Sequence, residues 1–369
     1  MKAAIQYQNC LWEKNIPETM YEKGFSRIEI PFNDIDEYER RTQQYENRDN
    51  VPKVSGIIVS GKELDEDILF QALSKADELE AFYVVIQTEE LSSLKKIEET
   101  VEICADFIRE QKIEIYLENG FGLDTNGEYQ CNECSEINEL KKMTGYLKRI
   151  CDHECFGISI NVGNANVLAK NLRKMIEEAG NELRLIHIND NNGFKKDNQM
   201  PFTFTRGRGS NTTDWYRLVA ELIKIKYDGW FVFDAGGLFE RMPSELYPSA
   251  LSLMKSILNE WKEQMQVEEY LNQPGKKLIL FGTGVMARNF LRVWGGRYQP
   301  DFFVDNNSDL WEKERFGITV KKPEEILNVP EKERNVWICN RFYDQIGTQL
   351  EDMGITYKCY NDNYYPERI

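Results

Sequence analysis

Leu183-Arg184-Leu185-Ile186-His187-Ile188-Asn189-Asp190 decides how the chain is read. It is an apolar run that turns polar over its last residues, the pattern of a covered strand that delivers side chains to an edge. It carries His187, one of two histidines in 369 residues. An isolated histidine in an apolar strand is either a ligand at a reactive centre or a hydrogen-bonded core residue. The surrounding sequence has to choose.

Working outward, short β-rich runs alternate with amphipathic segments. Strands are expected at 3–8, 26–31, 54–60, 82–88, 113–118, 156–162, 183–189 and 229–234. Helices are expected at 92–111, with Leu94, Ile97, Val101, Ile103, Cys104 and Ile108 on one face, and at 166–179, 214–225 and 243–261. Eight βα units in about 262 residues predict an α/β fold of the TIM (β/α)₈ type, for which roughly 250 residues is usual. An open doubly wound sheet rarely needs eight parallel strands in unbroken alternation.

The amphipathic pattern stops at Asn272-Gln273-Pro274-Gly275, a turn-forming tetrapeptide. The expected organisation is a barrel over 1–263, a linker over 264–275 and a small Rossmann-like α/β domain over 276–369. In that last segment Gly282-Thr283-Gly284-Val285-Met286-Ala287 follows a strand and opens a helix. Gly282 and Gly284 would allow close backbone approach to a phosphate, and Asp305, at the end of the next strand, could bond a ribose hydroxyl. A bound nucleotide is the corresponding expectation, and a plain strand-to-helix turn in a docking domain the alternative.

Composition narrows the partners. A formal net charge of −16 repels a phosphate backbone and argues against nucleic acid. No run approaches the roughly 20 apolar residues of a membrane span, and the start lacks a secretory pattern, so a cytoplasmic protein without a membrane partner is expected. Eight cysteines in so long a chain read as reduced thiols. Cys131-x-x-Cys134 and Cys151-x-x-x-Cys155 flank a predicted helix over 135–150, about 24 Å long, too long to let them share a zinc ion.

Reactive groups of a (β/α)₈ barrel project from the C-terminal strand ends, and here those ends are polar. Strand five ends in Leu117-Glu118-Asn119, strand six in Asn161-Val162-Gly163-Asn164, strand seven in His187-Ile188-Asn189-Asp190 and strand eight in Phe233-Asp234. Carboxylate, amide, imidazole and carboxylate from adjacent strands make a hard-metal or polar-ligand site.

With Arg206-Gly207-Arg208-Gly209 before Asp214-Trp215, these motifs resemble the xylose isomerase-like barrels, which include sugar-phosphate isomerases and epimerases and endonuclease IV. The resemblance implies metal ligands at Glu118, Asn161, His187 and Asp234, and a divalent ion such as Mn²⁺ or Mg²⁺. It implies proton transfer next to a carbonyl with Glu118 and Asp234 as the exchanging carboxylates, and substrate contacts from Asn164, Asp190, Arg206 and Arg208. The departures are Asn161 for an aspartate, Asn164 for a histidine and Asp234 for a glutamate, each of which weakens the hold on an ion. Ser60 and Gln87 replace the histidines a three-zinc nuclease needs. The expected function is a sugar or sugar-phosphate isomerase or epimerase, with a homo-oligomer left open. A catalytically reduced carbohydrate- or nucleotide-binding protein is the alternative.

Overall fold

The computed structural model describes residues 2–12, 16–45, 48–91, 93–204 and 212–365. The chain divides into two compact units, 1–259 and 260–369.

The first unit is a closed barrel of eight parallel strands: β1 (Lys2–Gln6), β2 (Arg27–Pro31), β3 (Lys53–Ser60), β4 (Tyr83–Gln87), β5 (Glu114–Glu118), β6 (Phe156–Asn161), β7 (Leu183–Ile188) and β8 (Trp230–Phe233). Each pairs with its sequence neighbours, and β1 pairs with β8 to close the ring. The strands are apolar on both faces because helices cover the outside and side chains fill the inside.

One outer helix illustrates the local logic. Asp65 accepts a hydrogen bond from Ile68 N at 2.8 Å and so caps helix Glu66–Glu78. In the next helix, Lys95–Arg109, the stripe Ile97, Val101, Cys104 and Ile108 is buried. Ile103, expected on that face, is 68% exposed. Two residues beyond Val101 is about 200° around the helix, so it points to solvent. The predicted helix over 166–179 is in fact two, Val162–Val167 and Leu172–Ala179. Ala169, at φ 51°, breaks the run, and Asn171 restarts it by accepting from Lys174 N at 3.3 Å.

Inside, Ala4, Tyr83, Val85, Tyr116, Leu185, Trp230 and Val232 form an apolar plug. The rings of Tyr83 and Tyr116 stack with centroids 5.1 Å apart, and Trp230 lies 5.4 Å from Tyr83. Above this floor the filling becomes polar. Two register shifts mark the change, at Ile28/Glu29 between β2 and β3 and at Ile158/Ser159 between β6 and β7. An extra residue in one strand re-aims its neighbours.

The second unit contains a six-stranded mixed sheet of β9 (Lys277–Phe281), β10 (Phe302–Val304), β11 (Glu314–Arg315), β12 (Ile318–Lys321), β13 (Arg334–Ile338) and β14 (Lys358–Cys359), in the order β11-β12-β10-β9-β13-β14. All pairs are parallel except the hairpin β11–β12. Residues 267–271, in the expected linker, form a helical turn and a half. Ile279, Phe281, Val304, Val336, Ile338 and Leu350 are among its core residues.

Candidate active site

The C-terminal ends of the barrel strands converge on His187. This ring is buried, and each nitrogen meets a carboxylate: Nδ1 faces Glu118, and Nε2 lies 2.5 Å from Glu29 Oε2. Imidazole flanked by acceptors on both sides is stable as imidazolium, donating twice. Burial opposes that charge, but Glu118 and Glu29 outweigh it and raise the His187 pKa well above its ordinary value.

Glu118, the last residue of β5, is held from every side. Its Oε1 accepts from Gln87 Nε2 at 3.1 Å and Asn161 Nδ2 at 3.4 Å, and its Oε2 from Ser159 Oγ at 3.3 Å as well as from His187. Burial pushes its pKa up, yet the His187 charge reverses this and holds the carboxyl below the usual range. Glu29 has the opposite fate: burial dominates over His187 and raises its pKa. Its Oε1 is buried without a hydrogen-bond partner.

Asp234 follows β8 directly. Its Oδ2 accepts from Asn189 Nδ2 at 2.9 Å and its Oδ1 from Asn198 Nδ2 at 3.1 Å. Burial raises its pKa, with the Lys196 charge pulling the other way. Asn161 caps the helix that follows β6: its Oδ1 accepts from Asn164 N at 3.1 Å and from Asn189 Nδ2 at 3.2 Å. Asn164 Nδ2 donates at 2.9 Å to Glu89 Oε1 and to Asn119 O.

Lys196 completes the charge set. It lies in the loop after β7, which a two-way backbone bridge between Asp190 and Gln199 closes at its base, with N···O distances of 2.7 and 2.9 Å. Its ammonium pairs with Glu89, and its side chain is only 18% exposed. Burial works against the charge, while Glu89, Asp234 and Glu118 together raise its pKa. Beside these groups, the ends of β1 to β4 line a cavity of about 110 Å³ that includes Gln6, Asn33, Ser60, Glu63 and Gln87.

Glu118, Asn161, His187, Asp234 and Asn164 thus lie together at one mouth. Asp190 instead ties down the loop backbone, its Oδ1 accepting from Asn191 N at 3.0 Å and its Oδ2 from Phe204 N at 3.3 Å. Arg206 and Arg208 lie outside the described residues. Gly282, Gly284 and Asp305 share one edge of the second sheet, where Gly282 N donates to Val304 O at 2.8 Å and Thr283 Oγ1 to Asp305 Oδ2 at 2.9 Å. Glu29, Glu89, Lys196 and Asn198 were not foreseen. Glu29 alone left a trace, as a carboxylate between Ile28 and Ile30 in an apolar strand.

A divalent ion needs a neutral histidine with a nitrogen to spare. Here both nitrogens of His187 are spent on carboxylates, Asn161 Oδ1 is spent on a helix cap, and two cations already stand among Glu29, Glu89, Glu118 and Asp234. Among the described residues no group of three or more His, Cys, Asp or Glu is arranged to hold a metal ion. The expected four-ligand set therefore does not fit a divalent ion in this arrangement.

The closed parallel barrel and its polar mouth define a class, and the family model for the xylose isomerase-like TIM barrel matches residues 67–257. The chain belongs to that family. No curated protein matches it in sequence. Among solved structures it is similar to L-ribulose 3-epimerase, at 13% identity over 74% of this chain and 99% of that one, with a TM-score of 0.50. It is similar also to a D-psicose 3-epimerase, at 13% identity over 70% and 99% with a TM-score of 0.49. A 3-keto-D-glucoside 4-epimerase from E. coli matches at 16% identity over 69% and 99%, with a TM-score of 0.48. At 13% identity the likeness to L-ribulose 3-epimerase concerns the fold alone. Among the described residues no helix is long and apolar enough to cross a membrane.

Proposed function

We propose that the barrel is an isomerase or epimerase that moves a proton next to the carbonyl of a small sugar or sugar phosphate. The observation that carries this reading is the pair Glu118 and Asp234, two buried carboxylates on non-adjacent strands of one mouth in opposite environments. Glu118 lies against an imidazolium that keeps it a carboxylate, fit to take a proton from carbon. Asp234 lies between two amide donors in a buried place that raises its pKa, in position to return one. Titratable groups whose surroundings push them apart are the usual signature of an acid–base pair. Polyol recognition has its own support: Asn164 Oδ1 and Asn198 Oδ1 are buried acceptors without a donor, and sugar hydroxyls supply donors.

The test is solvent exchange. Incubated with L-ribulose, D-fructose or D-allulose in D₂O, the protein should place deuterium on the carbon beside the carbonyl, read by proton NMR. Glu118→Gln and Asp234→Asn should each lower exchange by 10²–10⁴-fold, the range of general acid–base catalysis. No exchange with any ketose or its phosphate would sink the reading.

The full satisfaction of Glu118 and Asp234 by neighbouring side chains favours a second reading, a barrel that binds a carbohydrate without turnover. Its mark would be ligand-induced stabilisation with no deuterium uptake. For the second unit we propose a nucleotide phosphate at Gly282 to Val285, where helix Val285–Trp294 begins. Asp305 would then exchange its bond from Thr283 for one from ribose. Loss of nucleotide-induced stabilisation in Gly284→Asp is the check.

A further inference from the structure

We infer that this barrel does without a divalent ion, and that the Lys196 ammonium takes the ion's place as the fixed positive charge facing the substrate oxygen. The inference rests on the proton-transfer reading for its catalytic half and on the side-chain arrangement alone for its metal half.

Three features place the lysine. The Asp190–Gln199 bridge turns the loop back over the mouth. Gly237 receives it: a Cβ there would stand 1.9 Å from Asp197 O, so the loop backbone seats where any other residue would hold a side chain. Gly237 N also donates to Asn198 O at 3.1 Å. On the opposite side Tyr129, in a two-stranded ribbon after β5, accepts from Lys196 N at 3.4 Å, and the ammonium lies 5.9 Å from the centre of the Phe121 ring. Backbone fixed on both sides of one residue makes its charge a stationary part of the mouth.

The carboxylates of the mouth already have side-chain partners without an ion. Glu89 pairs with Lys196, and Glu118 and Glu29 each meet one nitrogen of the His187 ring. An added divalent ion would have to free a nitrogen of His187 from Glu118 or Glu29, take Asn161 Oδ1 from its helix cap, and sit beside the Lys196 ammonium. Chemically the lysine can serve. When Glu118 takes the proton from carbon, the electron pair of that C–H bond moves into the new C=C bond and the carbonyl π pair moves onto oxygen. The developing enediolate charge faces the ammonium, which has three donors and can bond Glu89 and a ligand oxygen together. Asp234 returns a proton to carbon, and solvent exchange resets both carboxyls.

The experiment has two arms. In the first, the whole chain prepared in Mn²⁺-supplemented medium without chelator is assayed for bound metal and its unfolding midpoint is measured with and without MnCl₂. Substoichiometric metal and an unchanged midpoint are expected. One Mn²⁺ per chain with a raised midpoint, both lost in Glu118→Gln, would overturn the inference whether or not any sugar is turned over. In the second, deuterium exchange is measured in EDTA. It should persist, fall by about 100-fold in Lys196→Met, as when one oxyanion donor is removed, and recover in Lys196→Arg, which also controls for folding. Exchange that vanishes in EDTA, or that ignores Lys196→Met, overturns it. If no protein variant exchanges any ketose, the proton-transfer reading fails while the metal arm still decides the rest.

Discussion

The barrel mouth and the polar edge of the second sheet are built from similar material with opposite results. In both, parallel strands end in amides, carboxylates and hydroxyls. At the mouth these groups are closed into a ring, so Glu118, Asn161, Asn189 and Asp234 are buried and bond one another. On the second sheet Asp305 accepts from Thr283 and from Asn307 N at 3.0 Å, and Asn306 and Gln349 pair at 2.9 and 3.1 Å, yet the edge stays open, with Val285, Phe342 and Tyr343 63%, 65% and 52% exposed. Water can replace any partner there. Ring closure is what turns strand-end polarity into a network that depends on each member.

The sharpest way to break that contrast is His187→Gln. It removes a buried cation between two buried carboxylates, and about 3–5 kcal/mol of stability should go with it, measured by urea unfolding at pH 7. A loss below 1 kcal/mol would mean the carboxylates are not confronted. The wild-type ring should also keep both nitrogens protonated, in ¹⁵N spectra, above the pH at which an ordinary histidine gives up its proton. Its folded pKa is raised, so its contribution is complete below the ordinary histidine value and fades only as pH climbs through the raised one.

Next in size is Asn189→Ala, which orphans Gly163 N, Asn161 Oδ1 and Asp234 Oδ2 to different degrees and should cost about 1–3 kcal/mol. Asp190→Asn tests the loop base. Burial raises the Asp190 pKa to about 6, so its contribution is greatest in acid and is lost as pH rises from about 4 to 6. The variant, which cannot ionise, should gain about 1–2 kcal/mol relative to wild type between pH 4 and 7 after allowance for solvent screening. Smallest is Thr283→Val on the open edge, at about 1 kcal/mol or less, read by hydrogen exchange within the second sheet. If it matched Asn189→Ala, closure would not be the cause of the difference.

Much of the barrel was written in the local pattern. Covered strands are apolar on both faces and helices carry a 3.6-residue stripe, so eight strands could be placed from the order of these runs. The strand-end residues Glu118, Asn161, His187 and Asp234 followed because topology assigns strand ends to the mouth. The rest required three dimensions. Lys196 sits among polar loop residues, where a lysine is expected to face water; only the Asp190–Gln199 bridge and the space at Gly237 turn it inward. Glu29 lies in mid-strand, and its aim into the barrel depends on the shift in register beside Ile28. Asp190 reads in the sequence as a substrate contact, and only the fold of the loop shows its carboxylate holding Asn191 N and Phe204 N. The hairpin β11–β12 could not be read from the pattern because its strands are too short to show alternation.

The bond between Glu29 and His187 joins residues 158 positions apart, from the second and the seventh strands. Local helices and neighbouring strands can assemble long before so large a loop is closed, and contacts of that span are the slowest to be rewarded. The imidazole should therefore acquire its second carboxylate at the end of folding. Conservative changes at Glu29 should then accelerate unfolding while leaving the folding rate nearly untouched, which makes the histidine ring a clock for barrel closure.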